Sequence, residues 1–236
     1  MRILITNDDG IESEGIVRLA KAAKQFGEVW VVAPDGQRSA MSHYYSFMQP
    51  VRLKKCNFPV EGVKAYSCTG TPVDAVRIAV IKLMPERPDY VFSGINRGYN
   101  MSHDIQYSAT LGAALEGAFL GIHSIAFSQG SFMYNEVVDK YLTELMGEYM
   151  NKPLEYNTVW NINFPGCELK HCKGVLRDRV VSFDPLYNDD YMVEEISEDV
   201  NEYTIKVGRN YEATEGTDLD AILRNYVSVG VVSNIR

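Results

Sequence analysis

RILITNDDG, residues 2–10, decides the fold. Its first five residues are a short, largely apolar, β-branched run that suits a buried strand. Asn7-Asp8-Asp9-Gly10 then breaks the run as a polar turn. Residues 16–26 follow with Ile16, Leu19, Ala20 and Ala23 at helical spacing, and Gly27 stands where a helix stop belongs. Residues 29–33, VWVVA, form the continuous apolar run of a strand covered on both faces. Strand, helix and strand in that order read as a βαβ unit with a right-handed crossover.

The same alternation continues outward. Residues 34–50 are polar and aromatic without a clear period, as a long functional loop would be. Residues 63–68 read as a strand. Thr71-Pro72-Val73-Asp74 is a helix start, with Thr as N-cap, Pro at the first helical position and an acid at the third. That helix is expected to run to Leu83, before Pro85. Residues 90–93 are the next strand, ending before Gly94-Ile95-Asn96. A small-residue helix at 108–120, a strand at 122–128 and an amphipathic helix at 135–150 complete the series. Beyond residue 157 the stretches 158–164, 174–183 and 192–207 are strand-like, and 218–224 reads as a last helix before a strand at 226–232.

The fold class is therefore α/β, a doubly wound, mostly parallel, Rossmann-like sheet with a β-rich C-terminal elaboration. We expect a single domain over residues 1–236, with its body in 1–155 and the elaboration in 156–236. The elaboration suits an oligomerisation arm or a hairpin folded back on its own body. The sequence stops at Arg236, so no longer C-terminal arm is expected.

The chain carries 31 acidic and 23 basic residues, a formal charge of −8. That balance argues against a nucleic-acid duplex as partner, which requires clustered Lys and Arg. The longest near-apolar stretches, such as 75–84, are far short of a membrane span. Met1-Arg2 leads straight into a strand without signal-peptide architecture. Four cysteines, at 56, 68, 167 and 172, are too sparse for a disulfide framework, and the expected location is the cytoplasm. Cys167, His171 and Cys172 resemble part of a zinc site but leave it short of ligands.

Ligands of open parallel sheets bind outside the carboxyl ends of the strands. Asp8 and Asp9 follow the first strand, Ser39 lies in the loop after the second, and Asn96 follows the strand near residue 90. Two adjacent carboxylates repel unless a cation lies between them. With hydroxyl and amide oxygens they select Mg²⁺, Mn²⁺ or Ca²⁺ over softer metals. Read singly, Asp8 and Asp9 could shape a turn or cap a helix, Ser39 could be solvated, and Asn96 could precede a Gly98 turn. Ser108 and Thr110 begin a helix whose free N–H groups suit an anion, or else simply cap it. His43 and His103 lie in polar loops and could donate a proton, or be plain exposed histidines.

Three other classes fit less well. A haloacid-dehalogenase-type phosphatase needs a nucleophilic Asp two residues before a second Asp, and Asn7 holds that position. A receiver-like signalling domain without hydrolase activity needs a phosphorylatable Asp after its third strand, where this chain has Asn96. A dinucleotide-binding turn needs Gly-x-Gly-x-x-Gly, which is missing after the first strand.

The segments RILITNDDGIESEGI, VVAPDGQRSA, TGTPVDAV, VFSGINRGYN, YSATLGAALEG and GTDLDAI, in this order, resemble the survival-protein SurE family. The resemblance runs from Arg2 to about Val229 and implies a SurE-like fold. It implies a metal-dependent nucleotidase that hydrolyses nucleoside 5′- and 3′-monophosphates, a homodimer or homotetramer, and one divalent ion, Mg²⁺ or Mn²⁺, with Ca²⁺ as a substitute in crystals. By position the metal ligands fall on Asp8, Asp9, Ser39 and Asn96, the same four residues. Asp8 and Asp9 would be the catalytic pair, and Asn96, Ser108 and Thr110 the phosphate contacts. Asp9 and His103 are candidates for proton transfer. Ala40 and Ala109 replace glycines of the family pattern, and Ser102-His103 replaces Gly-Asp. The departures at Ala109 and Ser102-His103 leave the metal positions intact and bear on substrate preference.

Overall fold

A computed structural model describes residues 1–235. Arg236, on which the expected early end falls, lies outside the described residues. β1 (Arg2–Thr6) is interior to its sheet because both its faces are apolar. Ile3 and Ile5 join one core, and Leu4 points the other way into a second with Trp30, Val32 and Val91. Ile3, Leu4 and Ile5 are fully buried, each contributing roughly 1.5–3 kcal/mol.

The chain continues through α1 (Glu14–Ala23), β2 (Glu28–Pro34), β3 (Leu53–Cys56), β4 (Lys64–Cys68), α2 (Pro72–Ile78), β5 (Tyr90–Arg97), α3 (Ala109–Phe119), β6 (His123–Gln129), α4 (Glu136–Met150) and β7 (Thr158–Phe164). It ends with β8 (Val175–Arg179), β9 (Tyr187–Ser197), β10 (Val200–Arg209), α5 (Asp218–Leu223) and β11 (Val227–Ser233). Nine strands form one sheet in the order β3-β4-β2-β1-β5-β6-β7-β11-β8, and β9 and β10 pair separately. From β4 to β7 all neighbours are parallel. β3 is antiparallel to β4 at one edge, and β11 is antiparallel to β7. α1 and α4 contribute to the core on one face, α2 and α3 to the cores on the other. The sheet is therefore doubly wound, and the chain changes winding direction between β1 and β5. That point is where such sheets open a crevice for ligands.

Several elements differ from the sequence reading. The strand expected to stop at residue 93 runs on to Arg97 with a register shift between Ser93 and Asn96, so Asn96 pairs with Ser128. Gly94 permits this: its φ is +135°, and a Cβ would lie 2.2 Å from the Phe127 carbonyl oxygen. α2 has the expected Thr71–Asp74 capping box but ends at Ile78 and continues as a π-helical turn, Ala79–Leu83. β3 was not expected; it is an edge strand whose Lys54 and Lys55 face water, which erases the apolar signal. Residues 192–207 are not one strand but the two arms of a hairpin, separated by the polar Glu198-Asp199. Beyond residue 155, β7, β8 and β11 continue the main sheet, so the sheet itself crosses the expected boundary; only the β9–β10 hairpin leaves it. Cys167 and Cys172 pack against the core, and among the described residues no group of three or more His, Cys, Asp or Glu is poised to hold a metal, so the partial zinc pattern gains no further ligand.

Candidate active site

The turn after β1 is built by Asn7. Its side chain is buried, and Nδ2 donates to the Gly10 carbonyl at 3.0 Å and to Ser13 Oγ at 2.7 Å. Ser13 is the N-cap of α1, accepting from Ile16 N. Gly10 has φ +98°, and a Cβ there would lie 3.2 Å from the carbonyl carbon of Gly36. This close approach presses the turn after β1 against the loop after β2. A hydrogen bond of 2.7 Å from Arg38 N to the Asp8 carbonyl fastens the two.

Asp8 is 4% exposed. Thr110 Oγ1, at the first turn of α3, donates to Asp8 Oδ1 at 2.6 Å. Burial pushes the Asp8 carboxyl up to about 6; the Thr110 bond opposes this and the neighbouring Asp9 charge adds to it. Asp9 is half-buried and accepts from Arg97 N at 3.0 Å. Burial raises its carboxyl too, against that bond and the Arg97 charge. Among the described residues neither carboxylate forms a salt bridge. Two crowded anions with few hydrogen-bond donors and no salt bridge are a deficit of positive charge. Asn7 Oδ1, beside them in sequence, is buried without a partner.

The neutral oxygens come from the loop after β2 and from the end of β5. Ser39 is exposed, one residue beyond the Arg38 tie, and accepts from Gln37 Nε2 at 3.1 Å. Asn96 is half-buried, and its Nδ2 donates to the Gly98 carbonyl at 3.1 Å. Its side-chain oxygen accepts no hydrogen bond among the described residues, so it is free for a cation. Two carboxylates, an amide oxygen and a hydroxyl are the donors that hard divalent ions take.

Ser108 caps α3 by accepting from Leu111 N at 3.0 Å, which leaves its own proton to donate. Thr110 departs from the expected phosphate contact: its side chain is buried and its hydroxyl is given to Asp8. His103 is exposed on a 3₁₀ turn, Ser102–Gln106. His43 is not free, since its Nε2 lies 2.9 Å from Glu116 Oε2. Ala40 and Ser102 adopt φ of +57° and +56°, the left-handed region that favours glycine.

Sequence reasoning missed four contributors: Asn7, the Arg97 amide, the Thr110–Asp8 bond and an asparagine cluster behind the site. In that cluster Asn163 Oδ1 accepts from Asn100 N at 2.9 Å, Asn161 Nδ2 donates to the Asn100 carbonyl at 2.7 Å, and Asn100 Nδ2 donates to Ser128 Oγ at 2.7 Å. Its signal is the alternation Asn161-Ile162-Asn163, which sets two amides on one face of an otherwise apolar strand. A groove of about 390 Å³ between α1 and α4 is lined by Glu14, Arg18 and Asp139 and not by these carboxylates.

The family model described as Survival protein SurE matches residues 3–182. Among curated relatives, 5′-nucleotidase SurE of Clostridium botulinum (strain ATCC 19397 / Type A) is 38% identical over 235 residues, covering 97% of this chain and 91% of the relative. The 5′-nucleotidase SurE of Mesorhizobium japonicum is 38% identical over 240 residues, covering 97% and 92%. The crystal structure of the SurE protein from Aquifex aeolicus superposes with a TM-score of 0.84 at 33% identity, covering 99% of this chain and 93% of that one. The turn, the sheet and the match over nearly the whole length agree, and the chain belongs to the SurE family.

Proposed function

We propose that this protein is a phosphoric monoester hydrolase that releases phosphate from nucleoside 5′- and 3′-monophosphates with the help of one divalent cation, Mg²⁺ or Mn²⁺. The relatives named above support the 5′-nucleotidase activity. The observation that carries the metal is the Asp8–Asp9 pair, crowded at the switch point of the sheet, with both carboxyls raised by burial and, among the described residues, no salt bridge to either. Asp8, Asp9, Ser39 and Asn96 would hold the ion. When bound, it would offset charge on the phosphoryl group and acidify a water.

The chain's own groups have separable tasks. Asp8 and Asp9 supply the negative charge, Asp8 being fixed in rotamer by Thr110. The Ser108 hydroxyl and the first amides of α3, which have no intrahelical acceptor, suit the remaining phosphate oxygens. Asn7 is engaged in its turn and supplies no nucleophile, which disfavours a phospho-aspartyl route. Among the described residues no helix is long and apolar enough to cross a membrane. The β9–β10 hairpin leaves Tyr191, Val193, Tyr203, Ile205 and Val207 at least half exposed, which supports self-association as a dimer or tetramer.

The deciding assay measures phosphate release from AMP, GMP, their 3′ isomers and an aryl phosphate, with and without EDTA. The reading expects metal-restored activity on the nucleotides. Activity indifferent to chelator, or none on any monoester, overturns it.

A further inference from the structure

Glu116 is a buried carboxylate with no part in the site described above. It lies on α3 with its side chain 5% exposed, yet it is ion-paired twice. Oε2 meets His43 Nε2 at 2.9 Å, and Oε1 accepts from Arg77 NH1 of α2 at 2.6 Å. Burial alone would raise its carboxyl; the bonds from His43 and Arg77 outweigh that and hold it below the ordinary value. Glu116 is thus an anion clamped between a helix and the loop that bears Ser39.

The rest of that loop is fastened to α2 and to the turn that precedes α3. Ser42 N donates to the Tyr107 carbonyl at 3.0 Å, and Ser42 Oγ to the Gln106 carbonyl at 2.7 Å. Thr71 Oγ1 donates to the Tyr44 carbonyl at 2.7 Å. Ser46 donates to Asp74 from N and Oγ at 2.9 and 2.8 Å. Gly112 of α3 lets the loop backbone come close: a Cβ there would lie 2.3 Å from the Ser42 carbonyl oxygen. On the other side of Ser39, the loop is tied to Asp8 by Arg38 N. An exposed serine is therefore suspended between two anchors, one at the carboxylates and one at Glu116. The helix carrying Glu116 also carries Thr110, which orients Asp8.

We propose that Glu116 is a positioning residue: through His43 and Arg77 it fixes the loop of residues 39–46 against α2 and α3, so that the Ser39 hydroxyl is presented to the cation held by Asp8 and Asp9. The proposal rests on the metal reading above. A serine hydroxyl is a weak neutral ligand, and it contributes only if its loop is ordered before the ion arrives. Outer groups that orient metal ligands typically govern about ten- to a hundredfold in metal affinity.

The test is calorimetric titration of the metal-free full-length chain with Mn²⁺. His43→Ala is expected to weaken Mn²⁺ binding roughly tenfold. His43→Gln, whose amide can still donate to Glu116, restores most of the loss, and Glu116→Gln falls between wild type and Glu116→Ala. In a Ser39→Ala background the His43→Ala effect disappears, because the loop then has no ligand to present. Should His43→Ala not fold, Gly112→Ala reads the same coupling by pushing the Ser42–His43 backbone away. Mn²⁺ affinity unchanged in His43→Ala, or a loss of equal size with and without Ser39, overturns the latch. Folded wild type that binds no Mn²⁺, or binds it as well with Asp9→Asn, overturns the metal reading itself and the latch with it.

Discussion

Thr110 Oγ1 donates its proton to Asp8 Oδ1 at 2.6 Å, across 102 residues of sequence and between the first turn of α3 and the loop after β1. Under the proposed function, this bond would make the helix whose amides suit phosphate the same body that fixes the rotamer of a proposed metal-holding carboxylate. Thr110→Val keeps the shape and removes the donor. An unmade bond to a buried group costs about 1–3 kcal/mol, so we expect lower thermal stability and weaker Mn²⁺ binding, with Thr110→Ser retaining both. Mn²⁺ affinity equal to wild type in the valine variant would show that Asp8 needs no such support.

The second prediction concerns pH. In the metal-free protein the Asp8 carboxyl is raised from 3.8 to about 6, burial being the main cause. A raised carboxyl adds stability that is full below its unfolded value and is lost as pH rises through the folded one. Metal-free wild type should therefore lose stability between pH 4 and 7 relative to Asp8→Asn, which has no charge to ionise there. A cation competes with the same proton, so its affinity should drop as pH falls below about 6 and binding should release a proton. Titrations in buffers of different ionisation enthalpy count that proton; a count of zero at pH 5 would refute the assignment.

Ala40 and Ser102 make a matched pair. Both hold left-handed φ, which costs an L residue roughly 1–2 kcal/mol. Glycine relieves that strain but loses about 0.5–1 kcal/mol through its freer unfolded chain. Ala40→Gly should therefore stabilise by up to about 1 kcal/mol, a rise of some 2–4 °C in Tm for a chain this size. Ser102→Gly should give no gain, because the Ser102 hydroxyl donates to the Asp184 carbonyl. Scanning calorimetry of the two variants side by side distinguishes them; equal gains would mean that the hydroxyl contributes nothing.

Asp218 ties the turn at Ser102 to the segment at Ser182. It is buried and accepts from Ser102 N at 3.1 Å, Ser182 N at 2.9 Å and Leu219 N at 2.8 Å. Asp218→Ala strands three amides and should cost about 3 kcal/mol or more. Asp218→Asn keeps one acceptor oxygen and should cost clearly less. The urea midpoint reports both, and an alanine variant as stable as the asparagine one would contradict this account.

Much of this was legible beforehand because local physics enforces it. The RILIT and VWVVA runs have nowhere to go but the middle of a sheet, and Thr71-Pro72-Val73-Asp74 caps a helix wherever it is placed. Asp8, Asp9, Ser39 and Asn96 could be nominated because each stands at or beyond the carboxyl end of a strand. The edge strand β3 and the extension of β5 to Arg97 were not legible. The first carries too little apolar signal, and the second depends on Gly94 fitting against Phe127, a contact between distant segments.

The sequence by itself determined the alternation of strands and helices, the doubly wound class and the polar turns at the strand ends, because hydrophobic period and capping chemistry act over a few residues. Only the tertiary structure decided which partners those turns acquire. Thr110 went to Asp8 rather than to solution, and His43 to Glu116. Such pairings depend on burial and on hydrogen bonds closed across long separations, and a one-dimensional pattern carries no record of what a folded chain brings within 3 Å.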